Sequence, residues 1–266
     1  METQSALLAT LRYWRECGID RLTGEEYGWH QASLLLPSVT SSRLSVPIDP
    51  QFTKAPQINL VPEPPKISVD RLLTAPVAPE ERSVLFAERA SRVAVCQACG
   101  LSLTRRRALY GAGALDASLV WVTDAPSEAD EQEGAPLSGE VRELFAGMLR
   151  ALGCKREEVY VTCVVKCRPP ADRTPRGDEI RLCQRYWIEE IETIRPKAIV
   201  AMGKLAVETL LGAVERLVGA RGELHAWRGI PVVVTYHPIY CLRAPLAKRA
   251  VWDDLRLLKK LPGQQN

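Results

Sequence analysis

The residues best placed to do chemistry cluster between Tyr160 and Cys183. Cys167 follows a β-branched, apolar run and is a candidate metal ligand. Cys183 comes sixteen residues later, inside a predicted helix. Between them Arg168, Arg173 and Arg176 sit in a proline-punctuated loop, the arrangement expected where a backbone phosphate is met. A strand that delivers a thiolate and a basic loop to one edge implies a metal-stapled nucleic-acid site. Upstream, Cys96-Gln-Ala-Cys99 forms a tight pair of a kind used in zinc, iron–sulfur and redox chemistry alike. Eight cysteines in all, in a chain read as intracellular, are expected as thiols or metal ligands rather than disulfides.

These residues are carried by alternating strands and helices. Strands are predicted over Ser118–Thr123, Val159–Val165, Lys197–Met202 and Ile230–Tyr236. Helices are predicted over Glu80–Val95, Gly139–Leu152, Gly177–Ile194, Lys204–Leu211 and Leu246–Leu261. Apolar strands alternating with helices of this length give an α/β three-layer sandwich, with a central four-stranded parallel sheet covered on both faces. In such sheets ligands bind beyond the carboxyl ends of the strands. Asp124-Ala125-Pro126-Ser127, the segment Cys163 to Arg168, Gly203 and His237-Pro238 all stand there.

With 266 residues the chain holds one sizeable domain and an appendage. Three regions are expected. Residues 1–30 carry Leu7, Leu8, Leu11 and Trp14 at helical spacing, either a helix that docks on its own or a partner's surface or a dedicated peptide for a protein partner. Residues 31–79 read as an extended linker, since nine of the chain's nineteen prolines fall between Pro37 and Pro79, where they prevent helical hydrogen bonding. Residues 80–266 form the α/β domain. A hydrophobic fraction of 46% is enough for a packed core. The net charge of +3 requires any nucleic-acid footprint to be local. No apolar run approaches the ~20 residues of a membrane helix, and the start lacks a basic leader, so a cytoplasmic, nucleoid-associated protein is expected.

Several motifs in order resemble the family 4 uracil-DNA glycosylases, the iron–sulfur branch of that superfamily. They are Cys96-x-x-Cys99-x-Leu101, Asp124-Ala125-Pro126, Glu131-x-x-Gly134-x-Pro136, and Val164-Val165-Lys166-Cys167-Arg168-Pro169-Pro170. Next come Cys183, Met202-Gly203, Arg221-Gly222, Thr235-Tyr236-His237-Pro238 with Leu242-Arg243, and Trp252-Asp253-Asp254-Leu255. The resemblance implies a DNA repair glycosylase that hydrolyses the N-glycosidic bond of a flipped-out uracil or related base. It places Cys96, Cys99, Cys167 and Cys183 around a 4Fe-4S cluster; spacing alone admits zinc as well. By the same resemblance His237 donates to the base oxygen and Asp124 positions water or stabilises the sugar cation. Ala125, Pro126, Leu137 and Cys163 line the base pocket. Lys166, Arg168, Arg173 and Arg243 meet backbone phosphates, with Arg105 to Arg107 either joining them or forming a solvated run. Leu242 or Tyr240 wedges into the space that the extruded base leaves.

The chain departs from the family pattern at five positions. Thr123 and Ser127 replace glycines and Asp124 replaces a glutamate. Leu137 replaces the phenylalanine that stacks on the base. Cys163 replaces the asparagine that reads the uracil edge, exchanging a donor-and-acceptor amide for a weak thiol. These changes leave a second expectation open: a non-catalytic DNA- or partner-binding module on the same fold, similar in idea to the psi subunit of the bacterial clamp loader.

Overall fold

The computed structural model of this protein describes residues 79–261, apart from 213, 215 and 216. The expectations for the segment 1–30 and for the linker lie outside the described residues. A sheet of six strands forms the centre, with spatial order β1-β3-β2-β4-β6-β5. These are β1 (Ala112–Gly113), β2 (Leu119–Thr123), β3 (Tyr160–Cys163), β4 (Ala198–Met202), β5 (Leu224–Trp227) and β6 (Ile230–Thr235). The four expected strands, β2, β3, β4 and β6, pair in parallel, and all their residues from Val120 to Val122 and from Ala198 to Met202 are fully buried. Unbroken Val/Ile/Ala runs of this kind have no polar face to offer water, which forces helices onto both sides.

The sheet is larger than expected by one antiparallel strand at each edge. β1 has only two residues, too few for a periodic signal. β5 is half exposed and pairs with β6 across a two-residue turn at Arg228 and Gly229, both at positive φ, the hairpin geometry that matches strand twist. β3 is shorter than expected. Its successor Val164 turns its N–H to the carbonyls of Thr123 and Asp124 at 3.0 and 2.9 Å, so the chain leaves the sheet at Cys163.

Helices α1 (Pro79–Ala94) and α4 (Gly177–Ile194) cover one face, and α3 (Val141–Leu152) and α8 (Ala247–Leu255) the other. Phe86 of α1 packs edge-on against Tyr160, and Glu190 of α4 bonds Thr162. On the opposite face Phe145 of α3 meets Trp121 edge-on, with ring centroids 5.1 Å apart. Asp254 of α8 accepts the Thr235 hydroxyl and the Arg221 guanidinium, each at 2.8 Å, so both the Arg221-Gly222 and Asp253-Asp254 motifs serve that packing. The remaining helices are short: α2 (Glu128–Glu133), α5 (Lys204–Leu211), α6 (Leu217–Ala220) and α7 (Pro238–Arg243). Among the described residues no helix is long and apolar enough to cross a membrane.

Candidate active site

Parallel pairing brings the carboxyl ends of β2, β3, β4 and β6 to one edge, with Thr123 in register with Cys163 and with Met202, and Met202 with Thr235. Asp124 leaves β2 here. Its carboxylate accepts the N–H of Ala206 at 2.9 Å, with Leu205 a second backbone donor, so it caps the start of α5. The preceding residue, Gly203, sits at φ +94, and a Cβ there would lie 2.5 Å from an Asp124 oxygen. Only glycine allows that approach. Burial pushes the Asp124 carboxyl up to about 7, against the pull of the two helix amides and aided by nearby Glu208. Gly203 in turn gives its N–H to Thr235 at 3.1 Å, which ties this acid to the strand leading into His237.

His237 stands at the N-cap of α7, ahead of Pro238 at the first helical position. Its Nδ1 accepts the N–H of Ile239 at 3.1 Å. A nitrogen that accepts carries no proton, so the neutral ring bears its hydrogen on Nε2. Burial, with Arg243 as a weaker second cause, lowers its pKa to about 4. The ring is therefore a neutral donor at physiological pH.

The loop from Gly134 to Gly139 joins α2 to α3, at the end of the sheet where β2 stops. A reciprocal capping box starts α2: the Ser127 hydroxyl accepts from Asp130, and the Asp130 carboxylate accepts from Ser127. The other oxygen of that carboxylate accepts the N–H of Ser138 at 2.6 Å, with Leu137 a further backbone donor. Leu137 is buried at φ +60, an unfavourable region for a branched side chain, and these bonds hold it there. Cys163 is buried as well, its thiol pushed well above the usual range chiefly by burial. Ser127 thus has a capping role, and the Ser-x-x-Asp pattern in the sequence was its available signal.

Cys96, Cys99, Cys167 and Cys183 line one pocket, shared with Val93, Arg105 and Tyr186. The Arg105 guanidinium donates to the Cys167 sulfur, and the Lys166 N–H to the Cys183 sulfur, both at 3.2 Å. Burial raises the Cys183 thiol to about 12, and the Cys167 thiol is also raised by burial. All seven cysteines in the described residues are free thiols, and no group of three or more His, Cys, Asp or Glu among those residues is arranged to hold a metal ion.

The basic residues separate into two sets. Lys166, expected at a phosphate, is 1% exposed and bonds both Glu190 oxygens, at 2.9 and 2.8 Å, and Thr162 at 2.5 Å. It is a buried structural ion pair, not a surface contact. Arg173 forks onto the buried Glu179 carboxylate at 2.8 and 2.7 Å, and Arg168 pairs with Asp172 and Glu128. Of Arg105 to Arg107, Arg105 is half-buried, while Arg106 and Arg107 are exposed, as a solvated run would be. Arg105 holds Cys167, the Arg106 N–H goes to Glu131, and the Arg107 guanidinium packs against Gly134. Tyr240 is buried with its ring tilted 40° against that of Tyr236, centroids 4.5 Å apart, which removes it as a wedge. Leu242 and Arg243 are exposed, and Leu246, not anticipated from sequence, is 72% exposed in the following turn.

Residues 110–256 match the model of the uracil DNA glycosylase superfamily. A type-4 uracil-DNA glycosylase of Thermotoga maritima is 37% identical over 172 residues, which cover 63% of this chain and 90% of the relative. Its counterpart in Saccharolobus solfataricus is 34% identical over 64% of this chain and 83% of its own length. That of Archaeoglobus fulgidus is 31% identical over 64% of this chain and 89% of its own length. The matched region holds the whole parallel sheet and the edge carrying Asp124 and His237, and the chain belongs to the uracil DNA glycosylase superfamily and, within it, to the type-4 family.

Proposed function

We propose that this protein is a DNA repair glycosylase that hydrolyses the bond between a flipped-out uracil, or a related base, and its deoxyribose. The observation that carries the reading is the state of His237, neutral with Nδ1 already engaged and Nε2–H left as donor, on the edge that also presents Asp124. When the C1′–N bond breaks, its electron pair leaves with the base. The Nε2–H donor is suited to hold a base oxygen as that negative charge builds. A neutral ring suits this task, because it does not need a counter-charge in the resting site. The Asp124 carboxylate, ionised above about pH 7, stabilises the positive sugar and takes up the proton of the water whose oxygen adds to C1′. Ala125, Pro126, Leu137 and Cys163 bound the base.

Leu242 is assigned to the gap left by the base and Arg243 to the DNA backbone; both are exposed at the end of α7, the short helix that His237 caps. Cys96, Cys99, Cys167 and Cys183 are assigned to a 4Fe-4S cluster rather than zinc. All four line one pocket, and two of their sulfurs accept N–H donors, the kind of support that cluster thiolates use. When bound, the cluster cross-links the segment before β1, the loop after β3 and helix α4. Similarity to proteins named as glycosylases supports catalysis over a non-catalytic module. The test is base release from a uracil-containing duplex by the wild type and by His237→Ala: release that depends on His237 is expected, and no release by the wild type would remove the reading.

A further inference from the structure

Thr123 is the last residue of β2 and is 2% exposed, yet its hydroxyl has no hydrogen-bond partner among the described residues. A buried polar group without a partner is costly and calls for a reason. The other buried threonines of the described residues show the normal state. Thr162 bonds Glu190, Thr193 bonds the Glu189 carbonyl, and Thr235 bonds Asp254. Among the other buried side-chain atoms without a partner in the described residues are the indole nitrogens of Trp121 and Trp187, neither of them at the carboxyl edge.

Position explains the exception. Thr123 lies in direct register with Cys163 on the neighbouring strand, so both side chains project from the same face of the sheet, side by side in its final row. That face is the one on which Trp121 meets α3, and the Gly134–Gly139 loop with Leu137 enters α3 from this end. Asp124 follows immediately. The two departures from the family pattern at the sheet edge are therefore one adjacent pair: an amide is absent from β3 where a hydroxyl has appeared on β2.

We propose that Thr123 is the polar reader of the extruded base, holding its edge by one hydrogen bond in place of the amide that Cys163 cannot supply. The assignment rests on the glycosylase reading above. Together with His237 it equips the site with two donors, which suits a base carrying two exocyclic oxygens. A hydroxyl rotates to suit its partner, so it reads the edge less sharply than an amide.

The test uses the full-length chain in single-turnover release from a duplex holding one uracil. Thr123→Val keeps the shape and removes the hydroxyl. Its release rate should fall about ten- to thirty-fold, the value of one buried hydrogen bond. Thr123→Ser should stay within about three-fold of wild type. The Val variant should melt no lower than wild type, since it loses only an unpartnered group, and should bind a duplex with an abasic-site analogue equally well. An unchanged rate in Thr123→Val, with robust wild-type release, would overturn this assignment alone. A lower melting temperature with a matching loss in Thr123→Ser would make the residue structural and overturn it too. No release by wild type would overturn the glycosylase reading and this assignment together.

Discussion

The carboxylate of Asp124 accepts the backbone N–H of Ala206 at 2.9 Å, although 82 residues separate them. One acid thus both caps α5 and faces the edge where His237 stands. Burial against that helix end holds its proton near neutrality, where a group acting on water is most useful.

The rate of base release should therefore rise with pH through about 7 and then level off, as Asp124 ionises. His237, with its pKa near 4, should add no step between pH 5 and 9. Asp124→Asn should lose about two decades of rate and flatten the profile. A wild-type profile flat from pH 5 to 9 would separate Asp124 from the chemistry.

Stability should carry the opposite signatures of these two groups. Folded Asp124 binds its proton more tightly than the unfolded chain, whose value is 3.8, so its contribution falls as pH rises from there to about 7. Folded His237 binds its proton more weakly than the unfolded value of 6.5, so its contribution is lost as pH falls from 6.5 toward 4. Thermal melts of Asp124→Asn and His237→Ala across pH 4–8 should each lose the matching slope. His237→Ala should also cost about two to three decades of rate, as expected for removal of a donor to developing charge.

Cys167→Ser should abolish iron binding and the broad visible absorbance of the cluster, and lower the melting temperature, because ligation and folding are coupled. Arg105→Gln should retain iron but shift the cluster potential downward, since a positive donor leaves the Cys167 sulfur. A colourless wild type with one zinc per chain after anaerobic preparation would contradict the cluster.

Charge reversal at Arg243 should weaken DNA binding and reduce the salt slope by about one unit. Arg173→Ala should act differently, since its guanidinium neutralises the buried Glu179, and should mainly lower the melting temperature. Lys166→Ala should destabilise the fold by about 3–5 kcal/mol by leaving Glu190 buried and unpaired. Equal losses of DNA affinity in all three variants, with unchanged melts, would refute this division.

Cys163→Asn should raise uracil release by about one to two decades, because an amide adds directional hydrogen bonds beside Thr123. Leu137→Phe should add stacking worth about 1–3 kcal/mol. Both sites are buried, so each larger side chain should cost about 1–3 kcal/mol of stability. Robust wild-type release that neither change improves would mean that the pocket reads its base without these positions.

The four parallel strands and the long helices were legible in the chain, because apolar β-branched runs and helical periodicity are local signals. The edge strands were not. Two residues of β1 carry no pattern, and β5 depends on a turn at Arg228-Gly229 whose positive φ values no propensity reports. The four cysteines were legible as a set through motif order, and the structure places all four on one pocket.

The arginines mark the limit. Sequence by itself determined the strand-end positions of Asp124 and His237, since a parallel sheet sends every such end to one edge, whereas the early exit of the chain after Cys163 was decided by the bonds of Val164 to β2. It could not show that Lys166 and Arg173 point at carboxylates rather than at solvent, because Glu190 and Glu179 come from the next helix in the chain. Nor could it show that Thr123 alone among the buried threonines of the described residues lacks a partner. Type and spacing determine which groups a segment presents. Only packing between segments decides which of those groups are already engaged, because burial and pairing are properties of neighbours that lie far apart in sequence.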